Sequence, residues 1–183
     1  MTLSDRITRH PRPFDPDLGK DAAALVPWAT GPLRDLIGGT AGCSPYLAGL
    51  IGRETDWLQA AVDDPDAALA QTLSAIPAIP FADLASGMRQ AKRRVALLTA
   101  LCDLGGVWPL ETVTQALTDL AAAATHACIV PLVAAEITRG KLPGMTADDA
   151  ASAAGMTVLA MGKQGAGELN YSSDIDLICL FDD

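Results

Sequence analysis

Residues 162–181 read GKQGAGELNYSSDIDLICLF, and this stretch decides how the whole chain is interpreted. Its second half, SDIDLICLF at residues 173–181, has the apolar composition of a buried β-strand. Within that predicted strand, Asp174 and Asp176 are one residue apart and would point to the same face. We expect the opposite face to pack on the core: Ile175, Leu177 and Cys179.

Two carboxylates fixed side by side on a strand repel each other, and both remain ionised at low cost only when a cation lies between them. Oxygen ligands of this kind favour Mg²⁺, with Mn²⁺ also possible, over zinc. An Asp-x-Asp pair is weakly specific by itself, because solvent-exposed pairs are common. Whether this pair indicates a metal site therefore depends on the segment that precedes it.

A glycine-rich loop lies directly before the two aspartates. The backbone at Gly162, Gly165 and Gly167 can approach a phosphate closely and donate N–H groups to it. Lys163 adds a cation, and Ser173 leads into the first aspartate. A phosphate site and a divalent-metal site thus become adjacent, as phosphoryl or nucleotidyl transfer requires. The alternative is a glycine turn that joins two strands, with the aspartates exposed.

Two other glycine motifs do not fit this loop. A P-loop ends in Gly-Lys-Ser/Thr, whereas Gly167 is followed by Glu168. A dinucleotide-binding fingerprint that starts at Gly165 would need glycine where Asn170 stands.

The composition is that of a folded, mainly helical protein. Of its 183 residues 50% are hydrophobic but only 4% are aromatic, so the core is built from Ala, Leu, Val and Ile. The net charge of −9 argues against non-specific binding to nucleic acid or to anionic membranes. There is no uninterrupted apolar run of about 18 residues, so no transmembrane helix is expected.

The cysteines and the N-terminus indicate a cytoplasmic protein. The first residues contain no apolar segment of the kind found in secretory signals. The four cysteines are far apart, which argues against zinc and for reduced thiols: Cys43, Cys102, Cys128 and Cys179.

The chain divides by composition into three segments. Residues 1–19 are polar and contain three prolines, which predicts a flexible arm. Residues 20–145 read as a series of helices, and residues 146–183 as the start of a catalytic domain with strands at 156–162 and 173–181. Because the link between these strands is too short for a crossover helix, we expect an antiparallel pair or a short helical turn between neighbours. The predicted fold class is α+β.

Local signals place several helices within the second segment. Ser44 with Pro45, and Asp64 with Pro65, are typical of capped helix starts. The most regular helix begins near Phe81, where apolar residues recur at every third or fourth position: Leu84, Met88, Ala91, Val95, Leu98 and Leu101.

A basic group lies mainly off this apolar stripe: Arg89, Lys92, Arg93 and Arg94. We interpret it as a solvated face, with contact to a phosphate or an acidic partner as the alternative. Gly105-Gly106 is expected to end the helix. Pro131 is expected to kink or split the helix that follows.

The glycines and aspartates also resemble a known signature. In this chain it consists of Gly162, Lys163, Gly167 and the SDID of residues 173–176. This arrangement resembles the signature of DNA polymerase β-type nucleotidyltransferases. The longer stretch MGKQGAGELNYSSDIDLI is similar to the glutamine synthetase adenylyltransferase/adenylyl-removing family. SPYLAGLIGRE at 44–54 and KRRVALLTALCDLGGVWPLETVTQALTDLA at 92–121 resemble that family's helical region.

The resemblance implies an activity and its partners. Members of the family carry two nucleotidyltransferase domains, and the signature here is similar to the first, adenylyl-removing one. In that domain phosphate attacks the AMP–tyrosine linkage on glutamine synthetase and releases ADP, whereas the second domain attaches AMP from ATP. A PII-type signalling protein selects the reaction that dominates. The resemblance thus implies glutamine synthetase, PII, phosphate and ADP or ATP as partners, without nucleic acid or membrane.

The resemblance also implies roles for individual residues. Asp174 and Asp176 would bind the catalytic metal ions. The phosphate-facing loop would consist of Gly162, Lys163 and Ser173. A third metal-binding carboxylate is expected on a later strand, and Asp182 and Asp183 do not stand at its position. The chain is thus expected to be part of a longer enzyme, with an incomplete sheet, and inactive or nearly so alone.

Two alternatives remain open. The helices of residues 20–140 could serve mainly as a module that binds glutamine synthetase or PII without catalysis. A polymerase or a tRNA-modifying relative is disfavoured by the acidic charge and by the lack of a basic stripe.

Overall fold

The computed structural model describes residues 1–181, in which a helical region is followed by two short strands with a single helical turn between them. The α-helices are α1 (Leu3–Arg6), α2 (Pro16–Ala24), α3 (Gly31–Cys43), α4 (Pro45–Arg53), α5 (Thr55–Ala61), α6 (Pro65–Ser74), α7 (Leu84–Leu104), α8 (Leu110–Thr138) and α9 (Gly162–Gly165). Turns of 3₁₀ helix span Ile76–Ala78, Phe81–Asp83 and Ala147–Gly155. The strands are β1 (Thr157–Ala160) and β2 (Leu177–Leu180). The predicted α+β class is confirmed, whereas Asp182 and Asp183 lie outside the described residues.

Both predicted helix starts are confirmed. The hydroxyl of Ser44 accepts a hydrogen bond from the Leu47 N–H at 3.3 Å, and the Asp64 carboxylate accepts one from the Ala67 N–H at 3.0 Å. A proline follows each cap at the first helical position. Its fixed φ suits a helix there, and its missing N–H has no intrahelical acceptor to lose.

Helix α7 is the centre of the helical region and contacts α3, α4, α5, α6 and α8. Of the six residues on its predicted apolar stripe, only Met88 is half-buried, and the other five are buried. Gly105 is the C-cap of α7, and Gly106 adopts a φ of +66°, which favours glycine. The predicted face and the predicted end of this helix are therefore confirmed.

The main apolar core lies where α3, α4 and α5 meet α7. Its largest members expose none of their surface: Leu36, Ile37, Ile51, Leu58, Leu97, Leu98 and Leu101. A smaller cluster lies between α7, α8 and the 3₁₀ turn after α6: Ile76, Ala91, Val95 and Leu120. Burial of a leucine or isoleucine side chain contributes roughly 1.5–3 kcal/mol, so these clusters supply most of the driving force for folding.

Glu54, between α4 and α5, is a buried carboxylate that binds two arginines of α7. Its two oxygens accept hydrogen bonds from Arg93 Nε at 2.7 Å and from Arg94 Nε at 3.0 Å. The Arg94 guanidinium also lies 5.3 Å from the ring centre of Trp57. Two members of the basic group are thus structural, and the prediction of a solvated face is wrong for them.

The N-terminal residues pack on the helices. Leu3 is fully buried, and its N–H donates a hydrogen bond to the Val62 carbonyl at 2.7 Å. The Thr8 N–H donates to the Gly105 carbonyl at 2.9 Å. The prediction of a flexible arm over residues 1–19 is therefore wrong, because apolar side chains and backbone groups of this polar segment find partners on the helical core.

Helix α8 runs through Pro131 without being split. By length and composition alone it could cross a membrane, with a mean hydropathy of 1.7 over its most apolar 18 residues. The expectation of no transmembrane helix rests on the lack of an uninterrupted apolar run, whereas α8 reaches this length and mean hydropathy with polar residues among its apolar ones. In the fold, the N-terminal half of α8 packs on α7 and buries Val113, Ala116 and Leu120, whereas no residue of the apolar 18-residue window is fully buried.

The two strands form an antiparallel pair, as the short link predicts. Thr157 stands opposite Leu180, and Ala160 stands opposite Leu177. Every residue of β2 is exposed. A sheet of two strands needs a second layer of structure to bury its faces, and the two strands cannot supply that layer themselves.

The predicted strand at residues 173–181 is too long. Because β2 begins at Leu177, both Asp174 and Asp176 precede the strand. Strand pairing therefore does not fix the segment that carries the two aspartates in the way the prediction assumed. The expected core face is also wrong, since its three residues are exposed: Ile175, Leu177 and Cys179. The packing layer that the prediction assumed is not provided by the described residues.

The loop between the strands is instead held against α7 and α8. Leu169 is 4% exposed, and its N–H donates a hydrogen bond to Thr118 Oγ1 on α8 at 3.3 Å. The hydroxyl of Tyr171 donates to Asp103 Oδ2 on α7 at 3.1 Å. The helical region therefore positions the glycine-rich segment.

We expect Gly39→Ala to lower the free energy of unfolding, although alanine in place of a helical glycine usually raises it by about 1 kcal/mol. Gly39 is buried in α3, and a Cβ there would lie 2.1 Å from the Pro11 carbonyl oxygen. The N-terminal segment would have to move away. Urea denaturation measures the effect, and proteolysis before residue 14 should become faster.

The matched control is Gly49→Ala in α4, where a Cβ would have no neighbour within 4 Å. This variant should be stabilised. Stabilisation by both substitutions would contradict the packing of residues 1–13 on α3.

We expect Thr118→Val to destabilise the loop by about 1–2 kcal/mol, because the buried N–H of Leu169 would lose its acceptor. Hydrogen exchange of residues 162–173 should become faster. Thr125→Val is the matched control, because the Thr125 hydroxyl also donates to its own helix, to the Ala121 carbonyl at 2.8 Å. Equal exchange in both variants would contradict a role for Thr118 in holding the loop.

Candidate active site

The site begins where β1 ends and the chain turns into the single helical turn α9. The N–H of Met161 donates a hydrogen bond to the Asp176 carbonyl at 2.9 Å, which extends the pairing of the strands by one step. The Asp176 carboxylate consequently lies beside Gly162, with Oδ2 3.7 Å from the position that a Cβ on Gly162 would take. The structure thus brings together the first glycine and the second aspartate of the predicted site.

The glycines give the loop a shape that other residues would not allow. Gly162 and Gly167, at the two ends of the turn, have φ values of +55° and +75°. At Gly165 a Cβ would lie 2.4 Å from the Ala160 carbonyl oxygen, so α9 packs directly on the backbone of β1. The predicted glycine loop is therefore a tight turn that starts at the edge of the sheet.

Asn170 fixes the backbone immediately before the aspartates. Its Oδ1 accepts hydrogen bonds from the Ser172 N–H at 3.1 Å and from the Ser173 hydroxyl at 2.8 Å. The Ser173 hydroxyl oxygen in turn accepts the Asn170 N–H at 3.2 Å. Ser173 is thus held in place next to Asp174 by a local network rather than by strand pairing.

Asp174 and Asp176 are both exposed and offer oxygen atoms only. Across residues 1–181 there is no group of three or more His, Cys, Asp and Glu side chains placed to hold a metal ion. The donor set fits Mg²⁺ or Mn²⁺ in kind, because these ions prefer carboxylate oxygens. Two carboxylates are fewer ligands than such an ion requires, so they would supply only part of its coordination shell.

Lys163 and Gln164 differ in their surroundings. Lys163 is exposed and forms no ion pair within the described part of the chain. Gln164 is 6% exposed, and its Oε1 is buried without a hydrogen-bond partner among the same residues. Lys163 is therefore the residue of this turn that is free to meet a phosphate, whereas Gln164 packs inward.

The sequence interpretation missed the residues that hold the loop. Tyr171 is one: although 48% of its surface is exposed, the partial burial of the phenol and the neighbouring Asp103 carboxylate raise its pKa, so the phenol stays protonated and donates its hydrogen bond. Leu169 and Thr118 were missed as well. The signal for Leu169 was present, because it is an isolated apolar residue in a polar loop.

Comparison with known proteins adds independent information on this chain. Residues 36–183 match the family model described as glutamate-ammonia ligase adenylyltransferase. A protein of Bradyrhizobium sp. (strain BTAi1), named bifunctional glutamine synthetase adenylyltransferase/adenylyl-removing enzyme, is 44% identical over 92% of this chain. Proteins of the same name from Rhodopseudomonas palustris (strain TIE-1) and Xanthobacter autotrophicus are 37% identical over 98% and 42% identical over 79% of it.

The match covers only a small part of each relative. The chain spans 18%, 20% and 15% of the lengths of these three proteins, respectively. No solved structure matches the chain significantly. The family model covers most of the chain, including α4, α7 and the loop with Asp174 and Asp176, and the chain therefore belongs to the glutamate-ammonia ligase adenylyltransferase family.

Proposed function

We propose that residues 146–181 form the beginning of a nucleotidyltransferase domain that removes AMP from glutamine synthetase by phosphorolysis. The observation that carries this proposal is the position of the Asp176 carboxylate beside Gly162, 3.7 Å from where a side chain would begin. The two ends of the signature, fourteen residues apart in the chain, meet where the paired strands end. Phosphoryl transfer needs this proximity of a metal-binding carboxylate and a phosphate-facing backbone.

Each residue of the loop has a proposed role that its surroundings support. Gly162 keeps the space between the loop and Asp176 open, because any side chain there would point toward the carboxylate. Exposed Lys163 would bind phosphate oxygens. Ser173, fixed by Asn170, would orient the backbone at Asp174. Gly165 and Gly167 are needed for the shape of the turn.

Asp174 and Asp176 would hold Mg²⁺ or Mn²⁺ together with groups from elsewhere in the protein. When bound, the metal supplies positive charge that offsets the charge of the reacting phosphates. The main task of the protein residues is then to position the reactants, and little proton transfer by side chains is needed. The loop would hold the attacking phosphate near the AMP–tyrosine linkage. The new bond joins that phosphate to the AMP phosphorus, the bond to the tyrosine oxygen breaks, and ADP leaves.

The partners follow from this proposal. The names of the relatives support glutamine synthetase as the protein substrate. A PII-type protein as regulator, adenylylation from ATP by a second domain, and a cytoplasmic location are parts of the same proposal. So is the low activity that we expect from residues 1–183 on their own.

We expect Asp174→Asn and Asp176→Asn in the full-length protein each to lower phosphorolysis of adenylylated glutamine synthetase by at least about 100-fold. Each substitution removes a charged metal ligand at nearly constant volume. Release of ADP measures the activity, and pull-down of glutamine synthetase should be unchanged.

The control is Asp148→Asn, an exposed acidic residue in the 3₁₀ turn Ala147–Gly155, which should leave turnover unaffected. Normal turnover by both signature variants would reject the catalytic role. It would favour the alternative, in which the helices bind glutamine synthetase or PII without catalysis.

A further inference from the structure

A cavity of about 850 Å³ lies between the helical region and the loop that carries the signature. Helices α4, α7 and α8 form its walls on one side. Residues 169–173 and Ile175 line the other side. Its volume is within the range of pockets that bind organic ligands, roughly 300–1,000 Å³.

Most of the cavity wall is apolar. The helices contribute side chains that are small or aliphatic: Leu47, Met88, Ala96, Ala100, Leu117 and Ala121. The loop contributes the buried Leu169. Surfaces of this kind favour an apolar group of a ligand, because its transfer from water contributes about 25 cal/mol per Å².

Two cations lie on the α7 side of the cavity. The basic group of α7 divides: Arg93 and Arg94 are bound to Glu54, whereas Arg89 and Lys92 line the cavity. Arg89 and Lys92 are exposed and have no ion-pair partner among residues 1–181. They are therefore available for an anionic group of a ligand.

The acidic side chain that lines the cavity already has a hydrogen-bond partner. Asp103, on α7, accepts the hydrogen bond of the Tyr171 hydroxyl. Tyr171 and the neighbouring Asn170, Ser172 and Ser173 all line the cavity. An occupant would thus touch the same residues that set the backbone before Asp174.

We propose that this cavity binds an organic anion with an apolar part, whose anionic group contacts Arg89 and Lys92. Its binding holds residues 170–173 against α7 and thereby steadies the backbone at Asp174. The chemistry fits either a nucleotide or an aromatic carboxylate or sulfonate. Binding does not depend on the proposed function, whereas an effect on phosphorolysis does.

The test uses anilinonaphthalene sulfonate, a ring-bearing anion, with the full-length protein. We expect the double variant Arg89→Ala with Lys92→Ala to weaken dye binding about tenfold, and high salt to weaken it as well. Ala121→Phe, which fills the cavity, should also weaken it. Dye binding should slow hydrogen exchange in residues 170–173.

The control is the double variant Arg53→Ala with Lys141→Ala, two exposed cations away from the cavity, which should bind the dye normally. Displacement of the dye by AMP or ADP identifies a nucleotide site, and displacement by naphthoate alone identifies a site for other aromatic anions. Both outcomes support the proposal.

Unchanged dye affinity in both the Arg89/Lys92 and the Ala121 variants would overturn the proposal, as would the absence of dye binding. Asp174→Asn should bind the dye like the unmodified protein. Loss of catalysis without loss of dye binding therefore separates a failure of the proposed function from a failure of this inference.

Discussion

Two strands cannot bury their own faces, so the position of the signature aspartates depends on how the loop between the strands is held against α7 and α8. The hydrogen bond from the Leu169 N–H to Thr118, and the one from Tyr171 to Asp103, make this connection. Leu169 adds the apolar contact. The candidate active site thus takes its geometry from helix residues that precede their partners in the loop by 51 and 68 residues.

Helix α7 makes three separate sets of contacts. Its apolar stripe forms the core with α3, α4 and α5. Arg93 and Arg94 fix the junction of α4 and α5 through Glu54. Arg89 and Lys92 face the cavity beside the loop. Any change in the tilt or rotation of α7 would therefore alter both the packing of the core and the position of the loop.

The parts of the fold that were predicted correctly depend on local chemistry. Caps at Ser44 and Asp64, the apolar stripe of α7 and its end at Gly105 follow from side chains and backbone groups that lie within a few residues of one another. The glycine turn between the strands, which the sequence left open as the alternative interpretation of the loop, is also local, because positive φ at Gly162 and Gly167 is a property of single residues.

The errors have a common origin in contacts between distant segments. Residues 1–19 look flexible by composition, yet Leu3 is buried by a partner sixty residues away. The basic group looks solvated, yet Glu54 binds half of it. The predicted core face of the second strand lacks a layer to cover it within residues 1–181.

The sequence by itself determined the starts of α4 and α6, the apolar face and the end of α7, the α+β class and the family, because each follows from short patterns of residue type. Only the tertiary structure decided that Asp176 lies beside Gly162, that the loop is held by α7 and α8, and that Arg89 and Lys92 face a cavity. The last two features pair segments far apart in the chain, and the first depends on how the strands on either side of the glycine turn pair with each other. Local propensity carries no information on such pairings, because they are set by which surfaces can be buried together.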